Sequence, residues 1–352
     1  MSSMARSAGA RAAPTCFDAF TVTVYRGALR EIWASRGFSY ADGMTSWVLA
    51  ADLGGTKVEA ALVDAEGRVL AGSRFRAPTG RDSTSEQLEA GVRSVLVDAA
   101  AALPPGDELA GVGIGSAGPI SVDTGRVSPL NLPAWRDFPL RDLAATLHPD
   151  VPVVLRVDGE CITLAEHWLG AAQGAKNLMG MVVSTGIGGG LILGDRSVAG
   201  PTGNAGHIGH VEVGGFDTPC LCGGTGCVEA VASGPATTAW ARSQGWTGST
   251  GEELAASYAA GDPIARAAVV RSGTAIGQAI ASATALLDLD VVAIGGGFSR
   301  VSPDLFDIIR AAIAERSPFP FVAKVTVLPS GLSDEGPLIG SAALVHRPDY
   351  RS

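Results

Sequence analysis

Two stretches of this chain, roughly 130 residues apart, repeat one pattern: an apolar run, a polar glycine-rich turn, and a second apolar run. The first reads Leu49-Ala50-Ala51-Asp52-Leu53-Gly54-Gly55-Thr56-Lys57-Val58-Glu59-Ala60, and the second runs from Val182 through Ser184-Thr185-Gly186-Ile187-Gly188-Gly189-Gly190 to Leu193. Each is a strand–turn–strand unit that cannot bury both of its faces alone. Its recurrence predicts a duplicated domain. At 352 residues there is room for two domains of ordinary size.

Between and beyond these units, strand and helix patterns alternate. Strands are predicted at 47–52, 57–63, 67–75, 109–115, 152–157, 290–294 and 322–328, with a strand–turn–strand unit over 178–193. Helices are predicted at 84–102, where Leu88, Val92, Val95, Leu96 and Ala99 share a face, and at 139–147, 159–173, 228–243, 251–260, 263–287, 303–315 and 336–346. This alternation gives an α/β protein. Residues 1–43 carry scattered Arg and no sustained period. They are expected to be a disordered tail or a misassigned start.

Composition excludes several classes. Hydrophobic residues make up 46% of the chain, too many for intrinsic disorder. Lys and Arg number 26 against 35 Asp and Glu. A net charge of −9 argues against a general nucleic-acid binder, while leaving room for a local phosphate site. No apolar run suits a membrane span or a secretory signal. Five cysteines, three of them clustered, fit a reducing cytoplasm better than a disulfide framework.

The chemistry-bearing residues fall at the turns. At Asp52, Gly54, Gly55, Thr56 and Lys57, glycine backbone can approach an anion, Thr56 adds a hydroxyl, and Asp52 can hold Mg²⁺ through water. An ordinary hairpin turn is the alternative, and the segment is not a Walker P-loop. Thr185, Gly186 and Gly188 form a second such turn. Two of them facing one another could clamp a triphosphate. Gly295, Gly296 and Gly297 follow a predicted strand and could accept an adenine ring or simply make a tight turn.

His210, Cys220, Cys222 and Cys227 have the spacing of a closed tetrahedral zinc site, with redox thiols as the alternative. No open position remains, so the metal would be structural. Asp158 stands where a strand meets a helix, and on its own reads as an N-cap before it reads as a general base. His207 and Glu229 flank the cysteine segment. Each taken alone is an ordinary polar residue.

Taken in order, these motifs resemble the ROK family (repressors, open reading frames and sugar kinases) of the actin-like ATPase superfamily. The resemblance spans roughly residues 46–345 and rests on several matched segments. They are Asp52 to Lys57, Gly115-Ser116-Ala117-Gly118-Pro119, Asn131-Leu132 with Trp135, and Asp158 with Leu164-Ala165-Glu166. Ser184 to Gly190 follows, then Gly206-His207-Ile208-Gly209-His210, the cysteine segment through Glu229, and Ser233-Gly234.

The resemblance implies two actin-like (ribonuclease H-like) domains with an ATP cleft between them. The first comprises 44–158 plus 334–352 and the second 159–333. ATP phosphates would lie on the Asp52 and Thr185 turns, with adenosine at Gly295–Gly297. Asp158 would be the catalytic base, and Gly118, Asp158, His207, His210 and Glu229 would meet the substrate. His210, Cys220, Cys222 and Cys227 would hold structural Zn²⁺, with Mg²⁺ beside the phosphates. A cytoplasmic homo-oligomer without nucleic-acid or membrane partners is expected.

The departures bear on the acceptor. Family glucokinases read Asn-Asp-Ala-Asn where this chain has Val157-Asp158-Gly159-Glu160. They carry Glu where it has His207, and Pro where it has Ala117. N-acylmannosamine kinases share the Gly-His-Ile-Gly-His form. A site built to hydrogen-bond particular hydroxyls rejects molecules lacking them. Glucose is therefore expected to be poor, and an amino sugar or a carbocyclic C7-cyclitol, as in aminocyclitol antibiotic pathways, is expected to be preferred. Glucokinase or N-acylmannosamine kinase activity is the alternative, and a non-catalytic ROK sugar-binding regulator is the alternative of another class.

Overall fold

The computed structural model describes residues 44–332 and 334–350, so the tail over 1–43 lies outside the described residues. The described chain falls into two units. The small one joins residues 44 and 45 to Pro104–Asp107, where the Thr45 N–H donates to the Asp107 carboxylate at 3.1 Å. The large one holds Ser46–Leu103 and everything from Glu108 onward.

The large unit contains two five-stranded sheets. In the first, β1 (Ser46–Leu53) pairs antiparallel with β2 (Lys57–Val63), which pairs with β3 (Phe75–Pro78). On its other side β1 runs parallel to β4 (Glu108–Ser116). A small hairpin of β5 (Ile120–Ser121) and β6 (Arg126–Val127) follows, and β7 (Val153–Val157) then runs parallel to β4. The second sheet repeats that plan. Strand β8 (Asn177–Val183) pairs antiparallel with β9 (Ile187–Leu193), which pairs with β10 (Arg196–Ser197). On the far side β8 runs parallel to β11 (Val291–Gly295), and β11 to β12 (Thr326–Pro329). Both sheets thus place a glycine turn between their first two strands and add two parallel strands beyond. The duplication read from the two turns is matched by topology.

Helices cover the sheets. Helix α1 (Ser85–Ala101) buries the predicted face of Leu88, Val92, Val95, Leu96 and Ala99, and a Thr84–Gln87 capping box satisfies its first N–H groups. Helix α2 (Leu140–Leu147) precedes β7, and α3 (Asp158–Trp168) follows it directly. Beyond the second sheet's hairpin come α4 (Val228–Ala232), α5 (Gly234–Ser243), α6 (Gly251–Ala259) and α7 (Pro263–Leu287). Asp262 caps α7 with Pro263 at its first position. Helices α8 (Leu305–Arg316), α9 (Pro320–Ala323) and α10 (Gly336–His346) complete the chain. Helix α3 lies on β8 and β9, and α10 on α3, β1 and β4, so these two helices join the sheets. Cys161, Leu164, Leu178, Ile192, Ala343 and Leu344 share one core there.

Four predicted elements are corrected. The 67–75 strand is a turn, because the Asp64 carboxylate accepts the Glu66 and Arg68 N–H groups at 3.0 and 2.8 Å and Gly67 takes a φ of 78°. The strand proper begins at Phe75. The 159–173 helix stops at Trp168, and the chain turns back on Glu166. The 228–243 helix is broken at Ser233, whose φ of −61° and ψ of 159° are extended. That break lets the Gly234 N–H reach the Ser184 carbonyl of the second glycine turn at 2.9 Å. The 322–328 strand is a short helix begun by Pro320, followed by β12. Among the described residues, no helix is long and apolar enough to cross a membrane.

Candidate active site

The first glycine turn is closed by the Gly54 N–H donating to the Lys57 carbonyl at 2.9 Å and by the Thr79 hydroxyl donating to the Gly54 carbonyl at 2.8 Å. Thr56 is exposed at its tip. Lys57 turns away from that tip. Its Nζ lies 2.8 Å from Glu59, a fully buried carboxylate that also binds Arg74 at 3.1 Å and Arg76 at 2.6 Å. Burial pushes the Glu59 carboxyl up, but these three cations outweigh it and hold it below the usual carboxylate range. Glu59 was not among the residues singled out. Its signal was a charge inside an apolar strand.

Asp52, at the end of β1, is pushed up to about 7 by burial first, then by the charges of Asp158 and Glu59. Asp158 is raised to about 6, again by burial first and with the charge of Glu229 adding to it. The N-cap reading of Asp158 needs adjustment. The cap position is Val157, and Asp158 is the first helical residue, its Oδ1 accepting the Gly159 N–H at 2.8 Å. Two buried carboxylates, the charge of Asp158 raising Asp52, offer hard-oxygen donors of the kind that suits a divalent cation.

Asp158 belongs to the second turn as much as to the first sheet. A Cβ built on Gly188 would stand 3.8 Å from Asp158 Oδ1, and one on Gly186 would stand 2.6 Å from Glu229 Oε2. That same Glu229 oxygen accepts the Ile187 N–H at 2.8 Å. Thr185 is exposed at the tip. The third turn lies directly beneath. Gly296 has a φ of 95°, and a Cβ there would fall 2.5 Å from the Val183 carbonyl. A Cβ on Gly297 would fall 3.8 Å from Ser184 Oγ, and one on Gly295 3.2 Å from Ser330 Cβ.

His207 faces this group from the loop before the cysteine segment. Its Nδ1 lies 2.9 Å from the Asn204 carbonyl. A carbonyl only accepts, so Nδ1 carries the proton and Nε2 is left as an acceptor. Burial pulls the imidazole pKa down and keeps it neutral. Nε2 points at Gly118: a Cβ there would lie 2.6 Å from it and 3.5 Å from Val157 Cγ2. Gly118, Val157 and His207 thus converge. Asn204, which sets the tautomer, sits in a loop and had no signal in the sequence.

His210 stacks beside His207 with ring centroids 6.2 Å apart. Its Nδ1 is 3.7 Å from Cys220 Sγ, Cys222 Sγ is 3.6 Å from Cys227 Sγ, and all four ligand atoms lie within 4.8 Å of one another. A tetrahedron with Zn–S arms of about 2.3 Å has edges of about 3.8 Å, so two edges already have the right length. Burial, followed by the neighbouring thiols, pushes Cys227 up to about 12. Three thiolates this close need a cation, and the donor set fits zinc.

The ROK family profile matches residues 48–348. An N-acetylmannosamine kinase of Yersinia pseudotuberculosis is 33% identical over 300 residues, 84% of this chain and 96% of the relative. A glucokinase of Halalkalibacterium halodurans is 30% identical over 283 residues, 75% of this chain and 84% of the relative. The crystal structure of a ROK family glucokinase from Streptomyces griseus, in complex with glucose and AMPPNP, superposes with a TM-score of 0.74 at 28% identity, covering 86% of this chain and 99% of that one.

Proposed function

The chain belongs to the ROK family, and from that footing we propose that it is an ATP-dependent sugar kinase acting on a primary hydroxyl of an N-acylhexosamine, with N-acylmannosamine the first candidate. The observation that carries the kinase reading is the position of Asp158, on the first turn of α3 and beside Gly188 of the second glycine turn. A base so placed reaches an acceptor hydroxyl lying against the phosphate-binding backbone. The relatives named above are sugar kinases.

In this reading the turns at Asp52–Lys57 and Thr185–Gly188 bind the ATP phosphates through backbone N–H groups, and Gly295–Gly297 bears the nucleoside. Asp158 takes the proton from the acceptor hydroxyl as its oxygen attacks the γ-phosphorus and the bond to the β-bridging oxygen breaks, releasing ADP. Raised to about 6, it is still mostly ionised at neutral pH. Mg²⁺, held with help from Asp52, would supply charge neutralisation at the phosphates. Zn²⁺ on His210, Cys220, Cys222 and Cys227 would fix the loop that carries His207 and the start of α4 that carries Glu229.

The acceptor is argued from His207. A neutral imidazole offering one acceptor nitrogen suits a different polar pattern from a carboxylate that takes two donors. Val157, 3% exposed, offers only methyl groups to the same space. The substrate would contact Gly118, Asp158, His207, His210 and Glu229. The curated relatives favour an N-acylhexosamine or glucose over the carbocyclic substrate expected from the sequence, and His207 favours the N-acyl sugar over glucose. Measuring ADP release with N-acetylmannosamine, N-acetylglucosamine, glucose and a C7-cyclitol tests this. Highest kcat/KM on an N-acylhexosamine supports it. Glucose or the cyclitol in first place overturns the acceptor, and ADP release with none of them overturns the kinase reading.

A further inference from the structure

One motif residue has no place in the chemistry above. Glu166 is 1% exposed and lies in the last turn of α3, eight residues after Asp158. Its Oε2 accepts the Ala171 N–H at 2.8 Å and the Gly331 N–H at 3.1 Å. Its Oε1 accepts the Ser330 hydroxyl. Ser330 in turn donates its N–H to Ile294 at 2.9 Å, and its Cβ is the nearest atom to the open face of Gly295. The Ser330 oxygen also accepts the Leu332 N–H at 3.2 Å, on the way into α10.

Glu166 therefore holds three things at once: the turn after α3, the strand end that supports Gly295, and the chain returning to the first sheet. An α-helix is a stiff rod, and eight residues at 1.5 Å each put about 12 Å between Asp158 and Glu166. One end carries Asp158 and the other is clamped to the third glycine turn. We infer that Glu166 is a positioning residue that couples the nucleoside side of the site to the placement of Asp158. The inference rests on the kinase reading for its meaning, and its geometry does not need the charge. A glutamine in the same rotamer keeps one oxygen for the two N–H groups. It turns its NH₂ toward the Ser330 oxygen, whose proton then goes to the Leu332 carbonyl, 3.1 Å away.

The test measures ADP affinity by calorimetry, and ATP and sugar KM by ADP release, on the full chain. Glu166→Ala is expected to raise the Kd for ADP and the KM for ATP by about 5- to 20-fold while the sugar KM stays within about twofold. Glu166→Gln is expected to restore both to within about twofold of the parent. Ser330→Ala is expected to weaken ADP by about 3- to 10-fold. An alanine variant that binds ADP like the parent, or a glutamine variant as damaged as the alanine, overturns the inference. If Glu166→Ala does not fold, Ser330→Ala decides, and unchanged ADP affinity there overturns it. A parent that binds ADP but phosphorylates no sugar overturns the function instead, and the ADP series still reads this inference. A parent that binds no ADP overturns both.

Discussion

Glu229 Oε2 accepts the Ile187 N–H at 2.8 Å, and through that bond the helix that begins after Cys227 is tied to the second glycine turn. The loop carrying His207 and the turn carrying Gly188 thus share one rigid support. Glu229→Ala leaves the Ile187 N–H unpaired beneath the turn, a loss of about 1.5–3 kcal/mol for a hydrogen bond to a charged group. The expected result is a kcat/KM lower by about 10- to 100-fold for sugar, read from initial rates, with Glu229→Gln retaining more activity because its carbonyl can still accept.

Asp158→Asn should abolish phosphotransfer, by about 10²- to 10⁴-fold, and leave ADP affinity within a few-fold. An amide cannot take the hydroxyl proton, whereas the phosphate turns are untouched. The parent's kcat/KM should fall as pH drops through about 6, the pKa to which burial raises Asp158, because the protonated carboxyl is no base. A flat profile between pH 5 and 8 would count against Asp158.

Asp52→Asn should make the metal-free protein more stable and the enzyme worse. Asp52 rises from 3.8 to about 7 on folding, so between those values the native state binds more protons than the unfolded one. Stability contributed by this group therefore declines as pH rises across that window and stays low above it. At pH 8 the variant should melt about 2–4 °C higher than the parent, and at pH 4 the difference should vanish. A variant that melts lower at pH 8 would show that Lys57 and Arg74, whose charges favour ionised Asp52, outweigh its burial.

Chelation, or Cys222→Ser, should remove one zinc per chain and lower the Tm, since a hydroxyl is a poor substitute for a zinc-bound thiolate. Sugar KM should suffer more than ATP KM, because the loop bearing His207 and His210 loses its anchor. Metal analysis of protein purified without chelator reads the first part, and an absence of zinc there sinks the site.

The double change Val157→Asn with His207→Glu should raise glucose use and lower use of the native sugar. Each position decides one hydrogen bond of about 1–3 kcal/mol, so glucose kcat/KM should gain about 30- to 25,000-fold if the two act independently. Unchanged glucose activity would place acceptor choice elsewhere in the site.

The pieces legible in the amino-acid sequence were those made by neighbours along the chain. Glycine turns, the cluster of His210 with Cys220, Cys222 and Cys227 and the apolar face of α1 all depend on short spacings along the chain, where backbone geometry largely fixes which atoms can meet. The same reasoning failed at 67–75, 159–173 and 233. There a side chain or carbonyl took a backbone N–H away from the regular pattern: Asp64 at the first, Glu166 at the second and Ser184 at the third.

Other relationships were decided only by tertiary packing. The charge of Asp158 raises the pKa of Asp52, Glu229 braces Ile187, His207 turns an unprotonated Nε2 toward Gly118, and Glu166 reaches Ser330. Each joins residues tens to hundreds of positions apart, across elements whose mutual placement is set by buried cores that no single element specifies. Short-range periodicity specifies which face of an element is buried. It carries no information about which polar group will be found opposite, because that depends on how elements distant in the sequence pack together.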